Sequence, residues 1–312
     1  MKFKFIDLFA GIGGMRIAFE NVGGECIFSS EWDKPAQDTY EANFKDRPFG
    51  DITQINPKSI PEHDILLAGF PCQAFSICGE QKGFLDTRGT LFFNIEEILK
   101  YKQPYAFLLE NVKNLKSHDK GKTFATIINH LEALGYFVHY KILNSLDFGV
   151  PQKRERTIIV GFKENIRFTF PKPFLIKPSL STILEPDSTI ESKYFVSPKI
   201  KQKRLLKVKP NYPIPAIWHE NKSGNISALE YSCALRAGAS YNYLLVNGVR
   251  RPTPRELLRL QGFSDTYKIV VPYTQIRKQT GNSVTIPVIE AVARQMIASI
   301  KRETQQCGRS TA

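Results

Sequence analysis

The sequence predicts an α/β fold in which a mostly parallel sheet covered by helices is followed by a smaller, irregular, basic domain with short strands. Three observations carry this. Up to about residue 163, short apolar runs alternate with helical patterns, the rhythm of strands joined by crossover helices. Beyond residue 164 the texture changes to prolines, lysines and short strands. The charge is also unevenly placed: residues 1–150 carry 16 Lys and Arg against 19 Asp and Glu, whereas residues 151–312 carry 27 against 11.

The first part reads as strands at 3–9, 25–30, 64–70, 105–110, 137–143 and 156–162, each rich in apolar or β-branched residues. Between them, Leu91, Phe92, Ile95, Ile98 and Leu99 share one helical face. Phe124, Ile127, Ile128, Leu131 and Leu134 share another, with Gly135 placed to close that helix. In the second part Pro171, Pro173, Pro178, Pro186, Pro198, Pro210, Pro213 and Pro215 prevent any long helix. Helical order returns where Thr253 can cap a helix opened by Pro254 and ended by Gly262. A last amphipathic helix presents Ile289, Val292, Met296, Ile297 and Ile300 for packing on the first domain. The polar tail from residue 303 is expected to be disordered.

A chain of 312 residues with 42% hydrophobic and 12% aromatic content can bury one large core or two modest ones. No run approaches the roughly 20 uninterrupted apolar residues of a membrane helix. Asp7 interrupts the apolar N-terminal segment, so a secretory leader is not indicated and a cytosolic or nuclear protein is expected. Cys26, Cys72, Cys78, Cys233 and Cys307 are odd in number, scattered, and without a C-x-x-C pair, so neither a disulfide framework nor a zinc site is indicated. The net charge of +13 lies in the second half, as on a polyanion-binding surface, which makes nucleic acid the expected partner. Anionic lipid fits less well, because the basic run over 193–210 is broken by prolines.

Five segments carry candidate chemistry. The first strand runs into Ala10-Gly11-Ile12-Gly13-Gly14, where glycines let the backbone turn under a ligand. Arg16 stands where a dinucleotide fingerprint requires its third glycine, which disfavours a nicotinamide oxidoreductase. After the second strand, Glu31 is positioned to accept from ribose hydroxyls and Trp32 offers a flat face to an adenine; the alternative for Trp32 is a core or rim aromatic. The third strand ends in Phe70-Pro71-Cys72-Gln73, which puts a thiol in a rigid loop at the carboxyl edge of the sheet, where doubly wound folds place their sites. Cys26, Cys233 and Cys307 read as inert core thiols, and Cys78 as incidental. The fourth strand brings Glu110 to the same edge, giving a thiol and carboxyl pair able to do nucleophilic and acid–base work. In Gln152-Lys153-Arg154-Glu155-Arg156 the period of two points Arg154 and Arg156 to one side, where two guanidinium groups can clamp an anion or a carbonyl.

Taken in order, these segments resemble the cytosine-5 DNA methyltransferases, specifically the short bacterial restriction-modification type. The strings are Phe5 to Gly14, Glu31-Trp32, Asp51, Pro71-Cys72, Glu110-Asn111-Val112, Gln152 to Arg156, Arg251 to Glu256 with Gly262-Phe263, and Gly281-Asn282-Ser283-Val284. The resemblance spans residues 1–163 and 250–300. It implies a Rossmann-like S-adenosylmethionine-dependent methyltransferase fold with a smaller, irregular, β-rich target-recognition domain. The catalytic domain would be 1–163, completed by a C-terminal helix over 282–302, with target recognition by 164–280. Phe9, Gly11, Gly13, Glu31, Trp32, Asp51, Pro71, Leu91 and Asn282 would hold S-adenosylmethionine. Cys72, Glu110, Arg154 and Arg156 would form the active site, with no metal. Cys233-Ala234-Leu235 stands where many relatives carry Thr-Leu.

The implied reaction adds the Cys72 thiolate to carbon 6 of a cytosine flipped from duplex DNA, so that carbon 5 becomes nucleophilic. Glu110 would bond the ring N3 and the exocyclic amino group. Expected partners are double-stranded DNA and a restriction endonuclease acting on the same site, in a bacterial cytoplasm at the nucleoid. The nearest alternative is an RNA (tRNA) cytosine-5 methyltransferase; a non-catalytic DNA-binding protein is a second. An amino-methyltransferase would need an Asp/Asn-Pro-Pro-aromatic loop, and the chain has Phe70-Pro71-Cys72-Gln73 there.

Overall fold

The computed structural model describes residues 2–70 and 91–310, with side chains through residue 305. Its strands are β1 (Phe3–Leu8), β2 (Gly24–Ser30), β3 (Ile65–Gly69), β4 (Ala106–Val112), β5 (Phe137–Asn144), β6 (Gln152–Lys153), β7 (Glu155–Phe162), β8 (Ile217–Glu220), β9 (Ile226–Leu229), β10 (Ser232–Cys233) and β11 (Leu244–Val246). The helices are α1 (Gly14–Glu20), α2 (Lys34–Phe44), α3 (Leu91–Lys102), α4 (Lys122–Ala133), α5 (Pro198–Leu205), α6 (Pro254–Arg259), α7 (Tyr273–Asn282) and α8 (Ile286–Ser310), with short 3-10 turns between. Two compact units result. One comprises Met1–Leu143, Glu155–Lys172 and Val288–Ala312; the other comprises Asn144–Arg154 and Pro173–Pro287.

The first unit is built on a six-stranded sheet of order β2-β1-β3-β4-β7-β5. β1 lies parallel to β2 and β3, β3 is parallel to β4, and β7 is antiparallel to β4. Strand alternation divides the core between the two faces of the sheet. Ile6 and Leu8 join a cluster with Phe92, Ile95, Ile98 and Leu99 of α3 and Phe124, Ile127 and Leu131 of α4, the two helical faces expected from the sequence. Phe3 and Phe5 meet Phe19 of α1 on the other face. Gly135, at φ +83, follows α4 as a left-handed terminator. Ile289, Val292, Met296, Ile297 and Ile300 of α8 are buried, and Glu290 accepts from Asn21 Nδ2 at 2.8 Å. The stretch Tyr273–Gln305 is long and apolar enough to cross a membrane by composition, which the uninterrupted-run reading passed over; 72% of its most apolar window is buried in the protein, as in a core helix.

The second unit contains the antiparallel sheet β11-β8-β9 and the parallel pair β10-β6. Its small core gathers Trp218, Ala216, Ile226 and Leu245, with Val196, Ile200, Val208 and Tyr212 packed around them. Thr253 and Glu256 form a reciprocal capping box at α6. Glu256, fully buried, also takes two 2.8 Å hydrogen bonds from the guanidinium of Arg250.

These boundaries differ from those read in the sequence. Residues 144–154 cluster with the second unit because β6 pairs with β10 and buried Gln152 donates to the Leu260 carbonyl at 2.6 Å and accepts from Leu235 N–H. Residues 164–172 cluster with the first unit because Phe168 packs on Phe162 and His139. Asn282 ends α7 rather than opening the last helix, which starts at Ile286 and is helical through Ser310 instead of ending near residue 302.

Candidate active site

Registers in the sheet bring four strand ends to one edge. Leu8 lies beside Ser30 and Ala68, Ala68 beside Leu109, and Gly69 beside Glu110. The chain reaches β2 and β3 on opposite sides of β1, so the turn after β1 sits at the switch point of the sheet, where open α/β folds bind ligands. That turn departs sharply from strand geometry. Phe9 is left-handed at φ +58, a conformation a bulky residue adopts only when its surroundings impose it. Ala10 N–H is held by the Ser30 carbonyl at 2.9 Å. Gly11 and Gly13 follow at φ +55 and +78. The two glycines have different physical reasons. A Cβ on Gly13 would stand 2.3 Å from the Phe44 ring, whereas on Gly11 its nearest neighbour would be the Phe9 carbonyl at 4.0 Å. Gly13 is required by packing, and Gly11 borders open space.

Glu31 closes this turn from the β2 end. Its Oε2 accepts Gly11 N–H and its Oε1 accepts Asp33 N–H, each at 2.8 Å. Burial pushes its carboxyl above the usual range, while the Asp33 and Gly11 N–H groups counter that shift. A carboxylate held this way gains from further donors such as vicinal hydroxyls. Trp32, next along, is 77% exposed, so its ring is not a core aromatic. The neighbouring segment is tied in parallel to the end of β2: Glu31 N–H donates to the Phe49 carbonyl at 2.8 Å and Ser30 Oγ donates to the Gly50 carbonyl at 2.8 Å. This brings exposed Asp51 beside the end of β2, where its Oδ1 caps a turn by accepting from Thr53 N–H at 2.9 Å. Leu91, half-buried at the start of α3, packs against the core. Asn282 belongs to the second unit.

The other half of the site is the β3–β4 edge. Glu110 is buried at the end of β4, and Arg156 Nε of β7 lies 2.9 Å from its Oε1, with the two side chains 11% and 18% exposed. The register pairing Val112 with Arg156 and Glu110 with Ile158 explains the approach, since antiparallel strands bring residues two apart onto one face. The contact is ionic; among the described residues, Oε1 accepts no well-directed hydrogen bond. A Cβ on Gly69 would stand 3.7 Å from Glu110 Oε2, so only a glycine-sized residue lies between the carboxylate and the exit of β3. Asn111, 1% exposed, donates from Nδ2 to the Phe70 carbonyl at 3.0 Å and fixes that exit. Pro71, Cys72 and Cys78 lie outside the described residues, as does the side chain of Cys307.

Arg154 donates to backbone carbonyls, whereas Arg156 meets the Glu110 carboxylate. The strand breaks between β6 and β7 at residue 154, so the period of two is interrupted there. Arg154 Nη1 donates to the Leu235 carbonyl at 3.1 Å, and Nη2 donates to those of Gly281 at 3.2 Å and Ser283 at 2.6 Å. The guanidinium thereby joins the start of the 235–243 loop to the Gly281–Ser283 segment within the second unit.

Three buried groups escaped the sequence reading of the site. Asp7, in β1, is 1% exposed and its carboxyl is pushed up to about 8 by burial, which outweighs the nearby Arg16 charge and N–H. Cys26 and Tyr40 lie beside it, with Sγ 3.9 Å from the phenol oxygen. Asp7 is visible in the sequence as the only acidic residue of an otherwise apolar strand whose other charge is Lys4; Asn111 and Gln152 carry no such signal. Burial pushes the Cys26 thiol up to about 12 and that of Cys233 to about 11, so neither supplies a thiolate at neutral pH, in keeping with the inert reading of both.

Residues 3–298 match the C-5 cytosine-specific DNA methylase family. The chain belongs to that family. The methylase is 60% identical to the Type II methyltransferase M.HaeII of Haemophilus aegyptius, over 98% of this chain and 96% of that protein. It is 62% identical to the Type II methyltransferase M.NgoBI of Neisseria gonorrhoeae, over 94% and 92%. Among solved structures it resembles a DNMT2 mutant from Spodoptera frugiperda with a TM-score of 0.75 at 22% identity, covering 94% of this chain and 99% of the other. That likeness speaks to the fold, which is the methyltransferase α/β fold expected from the sequence. The family and these relatives make the methylase a DNA (cytosine-5)-methyltransferase, in preference to the tRNA enzyme held as its alternative.

Proposed function

We propose that the methylase transfers a methyl group from S-adenosylmethionine to carbon 5 of a cytosine flipped out of duplex DNA, within a restriction-modification system. The observation that carries this reading is the buried Glu110 carboxyl: its Oε1 lies beside Arg156 with no hydrogen-bond partner among the described residues, and its Oε2 lies near the exit of the strand that leads to Pro71-Cys72. An acceptor of that kind suits the N3–H and amino donors on one edge of a cytosine.

The residues present fit the methyl donor. Open space at Gly11, the exposed ring of Trp32 and the doubly held carboxylate of Glu31 form a cradle for an adenosyl group. Glu31 would take the ribose hydroxyls, Trp32 and Asp51 the adenine side, and Phe9, Gly11, Gly13, Pro71 and Leu91 the rest. S-adenosylmethionine, when bound, supplies an electrophilic methyl group on a sulfonium centre.

Cys72 adds as a thiolate to carbon 6, and the electron pair displaced toward carbon 5 makes that carbon a nucleophile. Glu110 holds the proton at N3 that makes the ring accept the thiolate, and Arg156 keeps Glu110 in place while bracing the flipped base. Carbon 5 takes the methyl group and then loses its proton to a base, the carbon–sulfur bond breaks, and Cys72 leaves as the thiolate. Arg154 acts at a distance, holding residue 235 to the 281–283 segment.

The second unit, 19 Lys and Arg against 8 Asp and Glu, would select the DNA sequence, and a restriction endonuclease of the same specificity would be the partner. The test is Cys72→Ala together with duplexes containing 5-fluorocytosine. The variant is expected to bind duplex DNA and transfer nothing, while the wild type forms a covalent complex with the fluorinated duplex. Turnover by Cys72→Ala, or no trapped complex with the wild type, would overturn the assignment.

A further inference from the structure

The basic run 193–210 contains six lysines and one arginine and no acidic residue. Its charges divide into two kinds. Arg204 of α5 is buried, donates to Glu220 Oε2 of β8 at 2.8 Å and bonds the Asn242 carbonyl. Together with Ile200 and Val208, which pack at the Trp218 core, it fixes α5 to the β8–β9 hairpin. Lys193, Lys199, Lys201, Lys203, Lys207 and Lys209 are all exposed. Lys193 pairs with Glu191, and Lys207 donates to the Gly224 carbonyl at 3.0 Å, which brings the hairpin turn carrying exposed Lys222 next to the run. Among the described residues, no acidic group pairs with Lys199, Lys201, Lys203 or Lys209.

Elsewhere in this unit the arginines are used internally. Arg250 pairs with Glu256 and Asp187, and Arg259 with Asp265. Arg255 donates to the Ser264 and Tyr267 carbonyls, Arg277 to those of Ala239 and Ser240, and Arg251 to Asn242 Oδ1. Outside the run, exposed Lys153, Lys177, Lys268 and Arg236, the last over the Tyr243 ring, are scattered along the chain, so the densest positive charge in this unit is on α5 and its flanks. Lysine ammonium groups are point charges without the fork that reads a base edge, so this surface suits phosphates rather than sequence. Lys199 and Lys203 lie one turn apart on one face, about 6 Å along the helix, which spans roughly two nucleotides of a DNA strand at about 3.4 Å each. Ile200 and Val208 are used in packing, and the exposed Leu205 and Leu206 are adjacent at the C-terminal end of α5 rather than spaced along it, so α5 does not present the long apolar stripe that lies in a lipid surface.

We propose that α5 is a sequence-independent clamp on the DNA backbone outside the recognition sequence, binding the flanking phosphates of the same duplex. This rests on the reading of the chain as an enzyme of duplex DNA and adds a surface to it. The test compares the wild type with Lys199→Gln/Lys201→Gln/Lys203→Gln by equilibrium binding over 50–300 mM KCl, in assay conditions of about that range. Two duplexes carry the methylated site, one trimmed to the site and one extended on both sides; a duplex RNA of the longer length is a third ligand. The slope of log affinity against log salt should fall by about 2 to 3 on the extended duplex, at about 0.9 per phosphate contact, and stay unchanged on the trimmed one. The corresponding triple arginine variant should restore it. An unchanged slope on the extended duplex, an equal fall on both duplexes, or a fall confined to RNA would overturn the proposal. Bisulfite sequencing of the extended duplex treated with the wild type reports separately on the underlying reaction.

Discussion

Arg156 Nε stands 2.9 Å from Glu110 Oε1, joining the end of β4 to the antiparallel β7 at the edge where β3 runs out toward Cys72. The pair sets the direction of a carboxylate whose Oε1 has no hydrogen-bond partner among the described residues. Glu110→Gln keeps the shape but cannot hold the ring proton, so turnover should fall by about 10²- to 10⁴-fold with duplex affinity little changed. Arg156→Ala leaves a buried carboxylate without its counter-charge and should also cost about 2 kcal/mol of stability. Single-turnover methylation and chemical denaturation measure the two effects; an active Glu110→Gln enzyme would remove Glu110 from the chemistry.

Only two tryptophans are present, and they differ in exposure: Trp32 at 77% and Trp218 at 1%. S-adenosylmethionine should therefore quench the acrylamide-accessible part of the fluorescence. Trp32→Ala should abolish that response, weaken cofactor affinity by about threefold to tenfold, and shift stability by less than about 0.5 kcal/mol. Quenching that persists in the variant would place the adenine elsewhere.

Asp7 makes stability depend on pH. Its carboxyl moves from 3.8 in the unfolded chain to about 8 in the fold, chiefly through burial and against the pull of Arg16, with Glu31 and Glu20 adding to the rise. Between those values the folded state holds a proton that the unfolded state has lost, so this group's contribution to stability falls as pH rises from about 4 to about 8 and is level above. Asp7→Asn should remove that slope. The stability of the variant relative to the wild type, from denaturation at several pH values, should grow with pH and stop growing near 8; a constant difference would refute the assignment.

Arg154 supplies donors to three carbonyls at residues 235, 281 and 283 while 3% exposed. Arg154→Met should destabilise the protein by about 3 kcal/mol, since buried acceptors lose their donors, and Arg154→Lys should recover part of the loss. A Met variant as stable as the wild type but inactive would return Arg154 to the reacting atoms.

The strands of the first unit, the faces of α3 and α4, the Thr253 cap and the turn after β1 are all legible in the sequence. Each is encoded by neighbours within one or two turns of chain: alternation, helical period, a capping hydroxyl, a glycine pair. That Glu31 and Glu110 stand at strand ends is legible too, because each strand end carries a polar signature. The strand break at residue 154 is not legible in the sequence, because it depends on partners distant in the chain such as Leu235 and Ser283.

What the amino-acid order determined by itself is the α/β class, the family and the edge of the sheet at which the chemistry collects. Tertiary structure alone decided that Arg156 meets Glu110, that residues 144–154 belong with 173–287, and that Asp7 is neutralised by burial. These depend on contacts between residues tens to hundreds apart in the chain. Their energies come from desolvation and from hydrogen-bond partners that no local pattern names.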